Sequence, residues 1–346
     1  MSETLSGFSI IIPVRNGQAT LADTLRSIAN LEADTHEVIV VDDASTDRTV
    51  RIAEDFGARV ISMPEPSGPA AARNKGAQEA QYPILVFTDS DVLAPKKLLS
   101  LLKKSFMQSE ADCVQGTFSD VCPYADFFSQ YKNLYNRYVI NQLPEWIDTT
   151  YTSLTAVRKS AFLDSGGFDE GIRTASVEDR TLGRNLIRNG YRIYLDRHIE
   201  VVHNKKLNAQ KFYRNQFHRS RDLAKLLLRN REEAKEAEEE GQEVDSFAEQ
   251  GRFGTNSATA MMRLPIALAV ILFSGIAIWQ PLFLIMTAVL IVHFCYLITP
   301  FTFYLLRKRG PFFALASVLV NFSDAIVSGA GVMWGFFQYG VMRQRY

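Results

Sequence analysis

The chain has 346 residues, and its 38 basic and 38 acidic side chains cancel, so charge argues against nucleic acid as the main partner. The cancellation hides blocks: Lys205 to Arg231 is basic, Glu232 to Glu249 is acidic, and from Leu264 onward charge nearly vanishes. Three cysteines, Cys113, Cys122 and Cys295, show neither metal-ligand spacing nor a dense disulfide pattern, which fits a reducing compartment, with a Cys113–Cys122 bridge left open.

The opening stretch "MSETLSGFSIIIPV" lacks a basic segment followed by a long apolar one, so the first domain is expected to stay on the side where it is made. "FSIIIP" reads as a buried strand, and Leu21, Leu25, Ile28 and Leu31 follow at helical spacing. "EVIVVDD" is a second strand, and "STDRTVRIAEDFG" a helix stopped by Gly57. "ARVISM" is a third strand, "SGPAAARNKGAQEA" a third helix and "PILVFTDSD" a fourth strand. Strand and helix alternating without hairpin turns predict parallel pairing through right-handed crossovers, an α/β nucleotide-binding type of sheet. Ligands of such sheets sit beyond the carboxyl ends of the strands. Arg15 and Asn16, Asp42 and Asp43, and Asp89 and Asp91 all fall there. Neither a GxGxxG turn nor a Walker A loop is present.

Past Leu93 the pattern predicts a helix over Pro95 to Ser109, a strand near "DCVQGTF", and an aromatic-rich segment from Tyr124 to Trp146. A strand and short helix follow in "TTYTSLTAVRKSAFLDSGGFDE". "SVEDRTLGRNLIRNG" reads as a helix with Glu178 and Asp179 in its first turn, and "YRIYLD" and "IEVVH" as two strands, the second ending at His203. Leu264 to Trp279, Pro281 to Leu306 and Pro311 to Tyr339 are apolar stretches predicted to be three transmembrane helices, the first marginal in length. The positive-inside rule places Arg263, Arg307 to Arg309 and the N-terminal domain in the cytoplasm, which leaves Arg343 and Arg345 outside, against the same rule.

The ordered set "IIPVRN", "VVDDASTD", "GPAAARNKGAQEA", "VFTDSDV", "TSLTAVRKSAF", "GGFDE" and "VEDRTLGRNLIRNGY" resembles glycosyltransferase family 2, the inverting nucleotide-sugar enzymes of the GT-A fold, in its membrane-anchored branch. The resemblance implies a GT-A domain with a mostly parallel central sheet over residues 1–204. A basic amphipathic interfacial helix (205–231), an acidic linker (232–262) and a transmembrane region (263–346) would complete the chain. It implies donor contacts from Pro13, Asn16, Asp42 and Asp43, a metal-binding DxD pair in Asp89 and Asp91, and Asp179 as general base.

The chemistry of these residue types agrees. A departing nucleoside diphosphate builds negative charge, and Mg²⁺ or Mn²⁺ held by one or two carboxylates plus the phosphates stabilises it. Asp91 is expected on the metal, Asp89 on metal or ribose, and His203 as a further ligand suited to Mn²⁺. Arg73 and Lys75 are candidates to approach the donor; solvated surface charge is the alternative. Gln216 and Arg219 in "NQFHRS" resemble the QxxRW motif of processive synthases, but Ser220 stands in the tryptophan's place; Arg219 is kept as a diphosphate contact, without processivity. The basic helix with Phe212, Phe217, Leu223, Leu226 and Leu227 interleaved would lie on an anionic leaflet, which favours a lipid-linked acceptor. The expected function is transfer of a sugar from a nucleotide-sugar donor, UDP-sugar foremost, at the inner or plasma membrane, by a multi-pass protein with a cytoplasmic catalytic domain. A sugar nucleotidyltransferase and a catalytically silent nucleotide-binding membrane scaffold are the alternatives.

Overall fold

The computed structural model describes residues 5–32, 34–174, 176–239 and 258–344. The chain divides into two compact units, Met1–Ala125 with Val139–Lys206, and Asp126–Tyr138 with Leu207–Tyr346.

The first unit is built on a nine-stranded mixed sheet of order β3-β2-β1-β4-β8-β6-β9-β5, with β7 beside β9. Its leading strands are β1 (Phe8–Val14), β2 (His36–Asp42), β3 (Arg59–Ser62) and β4 (Ile84–Phe87), all parallel. They alternate with α1 (Leu21–Ala29), α2 (Thr49–Asp55) and α3 (Pro69–Glu79), as the two periodicities predict. Phe8, Ile10, Ile11 and Ile12 are fully buried, the signature of a strand covered on both faces. Gly76 lets α3 settle on the sheet, since a Cβ there would stand 2.5 Å from Ile11 Cγ2. Pro13 comes just past Ile11, the last β1 residue paired with β4, where its missing N–H costs no bond on that side. Because β1 neighbours both β2 and β4, the strand order reverses beside it and opens a crevice at the carboxyl ends.

The expected parallel character stops at β4. β8 (Thr155–Arg158) runs antiparallel between β4 and β6 (Cys113–Phe118), and β6 pairs in parallel with β9 (Ile193–His203). The two strands read in "YRIYLD" and "IEVVH" are this one strand, whose register against β6 shifts between Gln115 and Thr117. Its far end pairs Val92 of β5 (Val92–Leu93) with His203. α4 (Leu98–Ser109), β7 (Trp146–Ile147), α6 (Lys159–Asp164) and α7 (Glu178–Arg188) complete the unit. All three cysteines are free.

The second unit is helical: most of α5 (Phe127–Asn141), then α8 (Ala209–Glu239), α9 (Ala258–Ile276), α10 (Phe283–Arg309) and α11 (Pro311–Gly340). α8 runs through the boundary expected at residue 231 into the acidic stretch; the rest of the expected linker, 240–257, lies outside the described residues. α8 and α11 pack at the smallest separation glycine permits: a Cβ on Gly331 would lie 2.4 Å from the Phe217 carbonyl oxygen, and one on Gly335 2.4 Å from that of Arg221. Tyr131, Leu134, Phe212, Phe301, Leu305 and Ala314 form an aromatic-rich core in this unit. Among the described residues two helices, α10 and α11, are long and apolar enough to cross a membrane, where three were expected. The apolar part of α9, Met262–Ile276, gives about 22 Å of helix against a hydrocarbon core of about 30 Å.

Candidate active site

Three strand ends supply the crevice in the first unit. After β1, Asn16 adopts the left-handed conformation (φ 54°) and ties two loops together. Its N–H donates to Ser45 Oγ at 2.8 Å, and its Oδ1 accepts from the Thr46 N–H at 2.8 Å. Ala44 shares the left-handed backbone (φ 56°), a conformation that costs a residue with a Cβ energy. Asp47 braces the same corner, accepting from the N–H groups of Gln18 (3.2 Å) and Thr49 (2.9 Å) and from the Thr49 hydroxyl. Burial pushes the Asp47 carboxyl up slightly, and these donors outweigh it and hold it below the usual range.

Asp42 and Asp43 point apart, as adjacent residues at a strand end do. The buried Asp42 accepts from the Ser45 N–H at 3.3 Å, a bond within its own loop. Asp43 instead accepts from the N–H groups of Ser67 (2.6 Å) and Gly68 (3.0 Å), fixing the entry to α3. Gly68 is obligatory there: it has φ 93°, and a Cβ would meet the Arg173 carbonyl oxygen at 2.5 Å.

Arg73 is no surface charge. Its side chain is 3% exposed, with Nη2 donating to Asp89 Oδ1 at 2.8 Å and to Thr152 Oγ1 at 3.0 Å, and Nη1 to Glu178 Oε1 at 3.0 Å. Burial alone would lower its pKa; the Asp89 and Glu178 carboxylates outweigh that and hold the guanidinium above its ordinary value. Its contact with a donor would therefore run through Asp89, which keeps 34% of its side chain exposed. Lys75 pairs with Glu79 at 3.1 Å one helical turn on, the surface-charge alternative.

Asp91 has a separate set of partners. Lys205 Nζ lies 3.1 Å from Oδ2, and His203 Nε2 lies 3.7 Å from Oδ1, brought there by the β5–β9 pairing. Burial would raise its pKa; the positive charge of His203 and Lys205 prevails and holds the carboxyl well below the usual carboxylate range. The two aspartates of "TDSD" thus do not share one cation: Arg73 compensates Asp89, while Lys205 and His203 compensate Asp91. Among the described residues no three His, Cys, Asp or Glu side chains gather into a metal cage. One carboxylate and one imidazole nonetheless fit a cation such as Mn²⁺ that takes its remaining ligands from phosphates and water.

Glu178 and Asp179 divide their work. Glu178 is buried against Arg73 and accepts from the Ser176 N–H at 2.7 Å, whereas Asp179 is half-buried at the start of α7. Thr150 Oγ1 donates to the Asp179 carbonyl at 2.6 Å, and Gly183 makes room for that strand of chain, since a Cβ there would stand 2.6 Å from Thr149 Cα. The "ARN" and "GGFDE" segments clamp each other: Asn74 donates to the Phe168 carbonyl at 2.8 Å and accepts from the Phe168 N–H at 2.9 Å. The sequence gives no sign of Thr152, Thr150 or Lys205 as site residues; their place follows from pairings far apart in the chain. Arg219 lies exposed on α8 in the second unit, and Gln216 there bonds Asp324 Oδ1 at 2.7 Å.

Crevice, paired carboxylates and half-parallel sheet define an α/β domain of the GT-A type. The glycosyl transferase family 2 profile matches residues 9–166, a little under half of the chain. An uncharacterised glycosyltransferase of Bacillus subtilis, YfnE, is 28% identical over 250 residues, covering 56% of this chain and 64% of that protein. The pre-mycofactocin glycosyltransferase of Mycobacterium tuberculosis is 31% identical over 206 residues, covering 56% of this chain and 42% of its own length. The chain thus spans 64% of the first of these relatives and 42% of the second. Among solved structures, the mannosyltransferase PcManGT of Pyrobaculum calidifontis, in complex with GDP-Man and Mn²⁺, superposes with a TM-score of 0.58 at 16% identity. That likeness of fold covers 97% of this chain and 88% of the other.

Proposed function

We propose that the protein is an inverting glycosyltransferase that moves a sugar from a nucleoside-diphosphate donor, a UDP-sugar foremost, to a membrane-associated, lipid-linked acceptor. The observation that carries this reading is the pair Asp89 and Asp91 at the end of β4, each backed by its own cation and each still partly exposed. Asn16, Asp42 and Asp43, with Pro13 beneath, would hold the nucleotide base and ribose. Asp43 retains acceptor capacity beyond its two amide partners. Asp91 and His203 would hold a divalent cation, which when bound supplies charge neutralisation to the leaving diphosphate, and Asp89 would serve that cation or the ribose. Arg73 orients Asp89. Lys205, 45% exposed on a flexible stem, can turn from Asp91 toward the phosphates once a donor arrives. Asp179 would take the proton of an acceptor hydroxyl as it attacks the anomeric carbon from the face opposite the diphosphate, and a single displacement inverts the configuration.

The Mn²⁺ and GDP-Man bound by PcManGT support a nucleotide-sugar donor and a divalent cation. The apolar helices of the second unit support membrane anchoring, and the cytoplasmic placement of the catalytic domain rests on Arg263 and Arg307–Arg309 under the positive-inside rule. The match of residues 9–166 to the family 2 profile favours this reading over a sugar nucleotidyltransferase or a silent scaffold. The test is turnover of a panel of nucleotide sugars with membrane lipid extract, with and without Mg²⁺ or Mn²⁺, by the wild type and by Asp179→Asn. Transfer should need the cation, and the variant should lose transfer at least 100-fold while retaining donor binding. Metal-independent turnover would remove the Asp89–Asp91 assignment. Near wild-type turnover by the variant would remove Asp179 as base.

A further inference from the structure

Resting on the reading of the helical unit as a membrane anchor, we infer that α11 does not cross the bilayer. It lies along the surface, so the segment after Val341 returns to the side that holds α8 and Arg307–Arg309. Three observations carry this.

The first is the company α11 keeps. α8 runs beside it in the same direction from the Tyr213–Ser323 contact (2.6 Å) to the Tyr339–Glu232 hydrogen bond (2.6 Å), with the Gly331 and Gly335 contacts between. Over that stretch α8 exposes Arg214, His218, Arg219, Arg231 and Glu232. A crossing α11 would carry these charges through hydrocarbon, facing lipid.

The second is what lies at the midpoint of α11. Arg263 donates to Asn321 Oδ1 at 3.0 Å, Gln216 to Asp324 Oδ1 at 2.7 Å, and Lys132 to Gln216 Oε1 at 3.1 Å. In a crossing helix this polar cluster would sit at the centre of the bilayer; in a surface helix it sits on the side away from lipid.

The third is the opposite face. Phe312, Leu315 and Leu319 toward one end and Met333, Phe337 and Val341 toward the other form an exposed stripe at helical spacing, interrupted between them where Phe322, Ala325 and Ile326 pack with Ala267, Phe294 and Ile298 of the α9–α10 hairpin. The helix has 30 residues, about 45 Å, so the stripe outruns a hydrocarbon core of about 30 Å but suits a helix half-sunk in the interface. The surface placement also resolves the charge conflict, because Arg343 then joins Arg307–Arg309 on one side. Insertion is left to the α9–α10 hairpin, uncharged from Leu264 to Leu306, whose tip presents Ile278 and Trp279 at 80% and 87% exposure.

The test is protease protection of the full chain carrying one epitope before Met1 and another after Tyr346, in sealed membrane vesicles of both orientations. Both epitopes should be cleaved in the same orientation and both protected in the other. Cleavage of one epitope where the other is protected would overturn the inference and leave the membrane reading intact. Release of the chain by alkaline carbonate would overturn the membrane reading, and this inference with it. Nitroxide labels at Leu319→Cys and Phe337→Cys give an independent measure. Surface placement puts them at nearly equal depth, whereas a crossing helix separates them by about 27 Å.

Discussion

Replacing Arg73 with Met removes a guanidinium from beneath the crevice while keeping most of its volume. The side chain is 3% exposed, and the Glu178 carboxylate it leaves behind is 4% exposed, with the Ser176 N–H as its other bond. Asp89, at 34%, can turn back to water, so the penalty falls mainly on Glu178. Stranding a buried partner of this kind costs about 3–5 kcal/mol. For a unit of this size each kcal/mol moves Tm by about 2–4 °C, so Arg73→Met should melt about 6–20 °C below wild type. Differential scanning of the detergent-solubilised chain without donor reads that shift. The double variant Arg73→Met, Glu178→Gln removes both charges, and its loss should fall short of the sum of the single losses by at least about 1 kcal/mol, the coupling of a contacting pair. A single-variant loss under about 1 kcal/mol, or additivity within about 0.5 kcal/mol, would refute the picture of a buried ion pair under Asp89.

Gly183→Ala places a methyl 2.6 Å from Thr149 Cα, where backbone must move; it should cost about 1–3 kcal/mol and lower the transfer rate more than donor affinity, measured as kcat against donor Kd. The Asp47 carboxyl is held low in the folded chain, so its contribution to stability is complete above the unfolded pKa of about 4 and fades as pH falls through the folded value. Asp47→Asn should therefore be less stable than wild type at pH 7, with the two denaturation curves converging in strong acid; a gap independent of pH would contradict the assignment. Burial, and secondarily Asp112, push the Cys113 thiol up, so a maleimide at pH 8 should modify it only after unfolding, which mass spectrometry of the labelled peptides would show.

The alternation from Phe8 to Asp91 was legible because each element there is local: a doubly buried strand reads as an apolar run, and α1 shows its core face through Leu21, Leu25 and Ile28. The strand ends carrying Asn16, Asp43, Asp89 and Asp91 followed from that order alone. What the sequence hid depends on distant partners. Arg73 meets Glu178 across 105 positions, and only the small residues around it, Ala70 to Ala72 and Gly76, hinted that its helix face is buried. Lys205 read as the first residue of a basic helix because nothing local ties it to Asp91. For α8, helical periodicity showed an apolar face but gave no sign of where the glycines of α11 pack: at Phe217, Ser220, Arg221 and Ala224. Length decided α9, since hydropathy alone does not separate a hairpin arm from a span.

The Gly331 and Gly335 contacts with α8 set a schedule for biosynthesis. α8 leaves the ribosome about a hundred residues before those glycines, an interval of roughly 5–20 s at about 5–20 residues per second. Throughout it, the face that will meet α11 has no partner, and because the two backbones finally touch, no looser packing can substitute while α8 waits. The nascent chain therefore has to keep α8 from committing to the wrong neighbour until α11 arrives.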